Sequence, residues 1–170
     1  PLIPRIGCGR LAQFSGIGEE NHVVSWVSQV AQGIAIMRTA SCSCRSLRAD
    51  TTGEPVRVIA CHCRECQRRT GAPFGVTVVF HKAQVQTEGS SKEYVRDAPE
   101  GRKVRFHFCP DCGTTLFWYP GMGPDIIGVA LGAFADPSFP EPTVSAWEEA
   151  QHPWVAFQHE LNHFPGENPS

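Results

Sequence analysis

The stretch "ACHCRECQRRTGAPF", residues 60–74, holds three cysteines within six residues: Cys61, Cys63 and Cys66. Two more groups flank it in the chain, Cys42 and Cys44 in "SCSC" and Cys109 and Cys112 in "FCPDCGT". C-x-C and C-x-x-C spacings suit chelation of a metal by thiolates better than bridging of distant strands. The "CPDCG" segment has the form of a zinc knuckle: two thiolates at C-x-x-C spacing, then Gly113, which lets the backbone turn so that amides face the sulfurs.

Seven local thiols divide as four plus three. A closed four-thiolate zinc site is structural and adds folding free energy directly. A three-thiolate site leaves one tetrahedral position for water or substrate. Spacing leaves the division open. Cys42 and Cys44 with Cys109 and Cys112 would free the central triplet, and a swap is allowed by arithmetic.

Charge narrows the chemistry. Three thiolates on Zn²⁺ leave about one negative charge, which makes a poor activator of water compared with three neutral imidazoles. Such a zinc is suited to taking an external thiol as thiolate, lowering its pKa and presenting sulfur to an electrophile. Arg64, Arg68 and Arg69 stand beside the triplet and are expected to offset its charge and to meet carboxylates of a thiol substrate. His62, between Cys61 and Cys63, points away from both thiols in an extended segment and reads as a packed residue. His62, Glu65 and His107 are candidates for proton transfer. "HELNH", His159 to His163, fits the H-E-x-x-H zinc-protease pattern, but Pro165 follows at once and no third ligand lies downstream.

The elements that must position these groups are mostly strands. "EPVRVIAC" alternates with Val56, Val58 and Ala60 on one face. "FGVTVVF" and "KVRFHF" are rich in β-branched and aromatic residues, and "TTLFWY" and "DIIGVALGAF" follow them. Arg64–Thr70 suits one short helical turn. Residues 1–36 differ: Val23, Trp26, Val27, Val30, Ala31 and Ile34 fall at helical spacing. They predict an extension, residues 1–36, with one amphipathic helix and a role in a homo-oligomer, followed by a zinc-binding β domain, residues 37–170. Met37 opens "MRTASCSC" as a protein start would. Cys8 stands alone and reads as a free thiol.

The bulk numbers agree with that plan. One domain fits 170 residues, and 14 prolines and 16 glycines favour turns and short strands. A net charge of -2 points to neither nucleic acid nor a membrane surface, and no apolar run spans a bilayer. Cysteines gathered for metal rather than disulfides predict a reducing, cytoplasmic setting.

The order C-x-C, C-H-C-x-x-C-Q-R-R-T-G-A-P-F, F-C-P-D-C-G-T-x-L, with "GAFADPSFPEP" and a late "HPWV", resembles the glutathione-dependent formaldehyde-activating enzyme family, also called centromere-protein-V-like. The likeness runs from about Cys42 to Pro169. It implies a mainly β fold of short antiparallel sheets organised by zinc, tent-like. It also implies the pairing: Cys42, Cys44, Cys109 and Cys112 as structural zinc ligands, and Cys61, Cys63 and Cys66 as a catalytic site with a second, partly occupied zinc. The implied reaction joins a thiol such as glutathione to an aldehyde such as formaldehyde, giving S-hydroxymethylglutathione, with the reverse reaction a carbon–sulfur lyase. Members commonly have glycine after the first C-x-C, where this chain has Arg45, and a histidine before the late tryptophan, where it has Ser145. Two other readings remain: a non-catalytic zinc module that binds a partner, and a thiol redox or zinc-buffering protein.

Overall fold

The β-branched and aromatic runs build strands wherever turn residues bound them, and one short helix follows the central cysteines. The structure is a computed structural model that describes residues 36–167. The helix expected in the N-terminal extension, and the oligomer contact assigned to it, lie outside the described residues. Strands β1 (Met37–Ser41), β2 (Arg48–Thr52) and β5 (Val85–Glu88) form a three-stranded sheet in the order β1-β2-β5. The larger sheet has eight strands. Its order begins with β11 (Asn162–Phe164), β10 (Val144–Ala146), β3 (Arg57–Cys61) and β4 (Gly75–His81). It continues through β9 (Ile126–Ala130), β8 (Thr115–Tyr119), β7 (Lys103–Phe108) and β6 (Lys92–Asp97). Helix α1 (Arg64–Thr70) joins β3 to β4.

Two expectations are corrected. The sheets are not purely antiparallel, because β10 runs parallel to both β3 and β11. Parallel neighbours need long connections, and β10 is separated from β3 by most of the domain. Val56 does not extend the alternation of β3. It sits at a bend before the strand, its N–H donates to Val79 O at 2.8 Å, and its side chain is exposed.

The larger sheet is covered on both faces, differently. Val58, Val78, Phe80, Ile127 and Val129 bury one face against Ala40 and Ala49 of the small sheet and Leu47 of the turn between β1 and β2. This is the main core. Cross-strand partners on the other face run in a row: Val79 beside Gly128, Gly128 beside Trp118, Trp118 beside Phe106. Period-two alternation thus sends one set of side chains to the core and the next to a second, separate face.

Phe80 is fully buried in that core, whereas Tyr94 on edge strand β6 is 58% exposed. Phe80→Ala is expected to lower unfolding free energy by about 3–5 kcal/mol, and Tyr94→Ala to change it by no more than about 0.5 kcal/mol. Urea unfolding followed by circular dichroism measures both, and equal effects would contradict this core.

Candidate metal centres and active site

The first cysteine group is built by two turns that resemble each other. Cys42 and Cys44 lie in the turn from β1 to β2, and Cys109 and Cys112 in the turn from β7 to β8. Cys42 N–H donates to Leu47 O at 2.9 Å, and Cys109 N–H to Thr114 O at 3.0 Å. Within each loop a second amide turns back: Arg45 N–H to Cys42 O and Gly113 N–H to Cys109 O, both at 2.9 Å. Arg45 (φ 66°) and Gly113 (φ 73°) are both left-handed. That conformation is free for glycine and costs an arginine about 1–2 kcal/mol. Arg45 thus carries turn strain that a glycine at the same position would not. Thr114 joins the turns, its Oγ1 accepting from Ser43 N–H at 3.2 Å and lying 2.9 Å from Ser43 Oγ.

The four sulfurs lie within 4.8 Å of one another. Cys44 Sγ stands 3.4 Å from Cys42 Sγ and 3.6 Å from Cys109 Sγ. A tetrahedron with Zn–S of ~2.3 Å has edges of about 3.8 Å, so this donor set fits zinc. Leu47 N–H donates to Cys42 Sγ at 3.3 Å, and Thr114 Oγ1 lies 3.3 Å from Cys112 Sγ. Hydrogen bonds from the Thr114 hydroxyl and backbone hold the Cys112 thiol down to about 5. The group can hold a metal ion.

The second group comes from one short segment. Cys61 ends β3, Cys63 caps α1 and Cys66 lies on the helix, where its N–H donates to Cys63 Sγ at 3.3 Å. Their sulfurs also lie within 4.8 Å of one another, all half-buried, with no fourth His, Cys, Asp or Glu grouped with them among the described residues. Hydrogen bonds from the Cys61 and Cys66 thiols hold Cys63 down to about 2. Cys61 is pushed up by its bonds to Cys63 and Cys66 and by burial. Three sulfurs this close repel one another as thiolates. A divalent cation would let all three ionise, so the donor set fits a metal. Gln67 ties α1 down, its Nε2 donating to His62 O at 2.7 Å and Ala150 O at 3.0 Å.

A cavity of about 470 Å³ opens beside the triplet, on the face of the large sheet away from the main core. Cys61, Cys63 and Cys66 form part of its wall, and Phe106 and Trp118 also line it. Of the arginines singled out by sequence, only Arg69 lines it. Arg64 and Arg68 are exposed, and Arg68 pairs with Glu65. Trp147, which also lines the cavity, is left-handed (φ 59°), a strained conformation for an aromatic residue.

The other sequence candidates separate cleanly. His62 is buried, its Nε2 3.2 Å from Ser145 Oγ, with its ring against Phe74 and Phe157. His107 stacks on Phe117 at 4.6 Å, on the face opposite Phe106 and away from the cavity. Glu65 alone of the proton-transfer candidates lines the cavity. The histidines of "HELNH" share no helix face. His159 Nδ1 lies 2.9 Å from Glu141, His163 Nδ1 lies 2.6 Å from Glu148, and the segment runs from loop into β11. Sequence reading missed Arg57, Arg96, Phe106, Trp118 and Gly128 as cavity residues. Their only signal is strand alternation, which says that a face exists and not what it encloses.

The family model described as glutathione-dependent formaldehyde-activating enzyme matches residues 37–150. No curated protein matches the chain. A crystal structure of a Rhodobacter sphaeroides protein is similar at 16% identity and a TM-score of 0.46, over 58% of this chain and 91% of that one. Among the described residues no helix is long and apolar enough to cross a membrane.

The two left-handed turn positions predict opposite substitution effects. Arg45→Gly is expected to raise stability by about 0.5–1 kcal/mol, and Gly113→Ala, which meets no atom within 4 Å, to lower it by about 1 kcal/mol. Denaturant unfolding of metal-loaded protein reads both; shifts of the same sign would contradict the matched turns.

Proposed function

The chain belongs to the glutathione-dependent formaldehyde-activating enzyme family, and from that premise we propose that it joins a small-molecule thiol such as glutathione to an aldehyde and cleaves the adduct in reverse, as a carbon–sulfur lyase. Cys61, Cys63 and Cys66 are the working site in this reading, and Cys42, Cys44, Cys109 and Cys112 hold a structural zinc. The observation that carries it is a group of three half-buried sulfurs, without a fourth grouped ligand among the described residues, opening onto a cavity large enough for a substrate.

A zinc held by the three thiolates would supply an open fourth position that takes the substrate thiol as thiolate and lowers its pKa. The chain's own residues do the remaining work. Gln67 fixes α1, and so the relative positions of Cys63 and Cys66. The Arg69 guanidinium acts on Cys66 and offsets negative charge at the triplet. Phe106 and Trp118 line the same cavity and give a bound thiol an apolar surface. In the forward direction the thiol sulfur forms a bond to the aldehyde carbon, the C=O becomes C–O, and the proton released by the thiol ends on that oxygen. The reverse breaks the same bond.

The seven described cysteines are all free thiols, which suits the cytoplasmic setting proposed with this function.

Cys63→Ser tests the proposal. Uncatalysed addition of thiols to formaldehyde is quick, so the readout is exchange NMR of the thiol–adduct interconversion above the buffer rate. Wild-type protein is expected to accelerate exchange and Cys63→Ser to return it to the buffer rate, with an unchanged circular dichroism spectrum. Full acceleration by the folded variant, or none by wild type, would overturn the reading.

A further inference from the structure

A one-carbon aldehyde fills little of the cavity, so its shape is set by the thiol partner. Its volume of about 470 Å³ lies in the range of sites for sizeable small molecules. Ile59, Val79, Val104, Phe106 and Trp118 make its body apolar. An apolar group laid on such walls loses its contact with water at no polar cost. Gly128 shapes the floor. A Cβ there would stand 2.6 Å from Trp118 Nε1 and 2.7 Å from its Cε2, so only glycine lets the indole lie flat across β9.

The charge in this apolar chamber is positive. Four arginines and two glutamates line it. Glu167 is engaged by Arg102 at 2.7 Å, and Glu65 by Arg68 outside the cavity. Arg69 lies over Trp118, 4.5 Å from the ring centroid, and Arg96 lies 5.7 Å from the centroid of Phe106. A guanidinium over a ring still has N–H donors to offer an anion. The Nε atoms of Arg69 and Arg96 are both buried and have no hydrogen-bond partner. Arg69 is also close to the sulfurs: a methyl group at Gly75 would meet Arg69 Nη2 at 3.0 Å and Cys66 Cβ at 3.5 Å.

We infer that the cavity selects a carboxylate with an apolar body of aromatic-ring size, the body on Trp118 and Phe106 and the carboxylate on Arg69 and Arg96. That this ligand is a thiol or thiol–aldehyde adduct rests on the proposed function; the apolar and anionic subsites do not. The substrate class is then an aryl or bulky alkyl carboxylate carrying the sulfur near its acid end.

Ligand-observed NMR titrations on the protein as purified, with metal, separate the two. The probes are phenylpropanoate, propanoate, the methyl ester of phenylpropanoate, and thiolactate with and without a phenyl group. Phenylpropanoate is expected to bind about tenfold to a hundredfold more tightly than propanoate. Gly128→Ala, which pushes the indole into the chamber, is expected to erase that preference, and Arg69→Met to erase the advantage of the acid over its ester. Cys63→Ser should leave both preferences in place and remove the extra affinity of the thiol. Equal binding of phenyl and non-phenyl probes, with thiolactate still bound, would overturn the inference and leave the thiol chemistry standing. A phenyl preference with no gain from the thiol would support the subsites and remove the thiol reading. Binding of no probe would overturn both.

Discussion

Two turns from two different sheets meet at four sulfurs, and the rest of the structure depends on that meeting. Cys42 and Cys44 leave the small sheet, Cys109 and Cys112 leave the large one, and all four sulfurs fall within 4.8 Å. A cation held there would do what a hydrophobic core of this size does only weakly: it would fix the distance between sheets by strong bonds rather than by burial. The seam it closes runs beside Leu47, Ala40 and Leu116, which are fully buried. With the small sheet held against one face of the large sheet, the other face is left to line a cavity. The four-sulfur group and the triplet thus lie toward opposite faces of the large sheet.

Charge balance divides the two groups by task. A four-thiolate site needs no cationic side chain in contact when polar hydrogens surround it, and here Leu47 N–H, Ser46 and Thr114 supply them. The triplet has fewer donors of this kind and faces a chamber where arginines outnumber glutamates. The positive surplus stabilises thiolate and at the same time attracts an anion. An amphiphilic ligand satisfies both the rings and the guanidinium groups, which already lie near one another.

The two cysteine groups were legible in sequence because C-x-C and C-x-x-C spacings bring sulfurs together locally, and spacing survives without coordinates. The strands "FGVTVVF" and "KVRFHF" were legible for the same kind of reason: period two is local. What was not legible depends on partners far apart in the chain. The parallel placement of β10 beside β3 joins residues more than eighty positions apart. The cavity needs Arg69, Phe106, Trp118 and Gly128 from four separate elements, and none of these carries a mark of its function in its own neighbours. Arg64, Arg68 and Arg69 looked equivalent in sequence, and helix geometry turned only Arg69 toward the triplet. The departure at Arg45 reads differently once its left-handed backbone is seen: it is a matter of turn strain and stands apart from the cavity.

The most direct measurement is zinc content per chain, by elemental analysis of protein purified without chelator, on wild type and on the folded Cys63→Ser variant. The account predicts two zincs per wild-type chain and one in the variant, because the tetrad keeps its metal when the triplet cannot. One zinc in both proteins would contradict it, since the triplet would then be a bare thiol cluster and not a metal site.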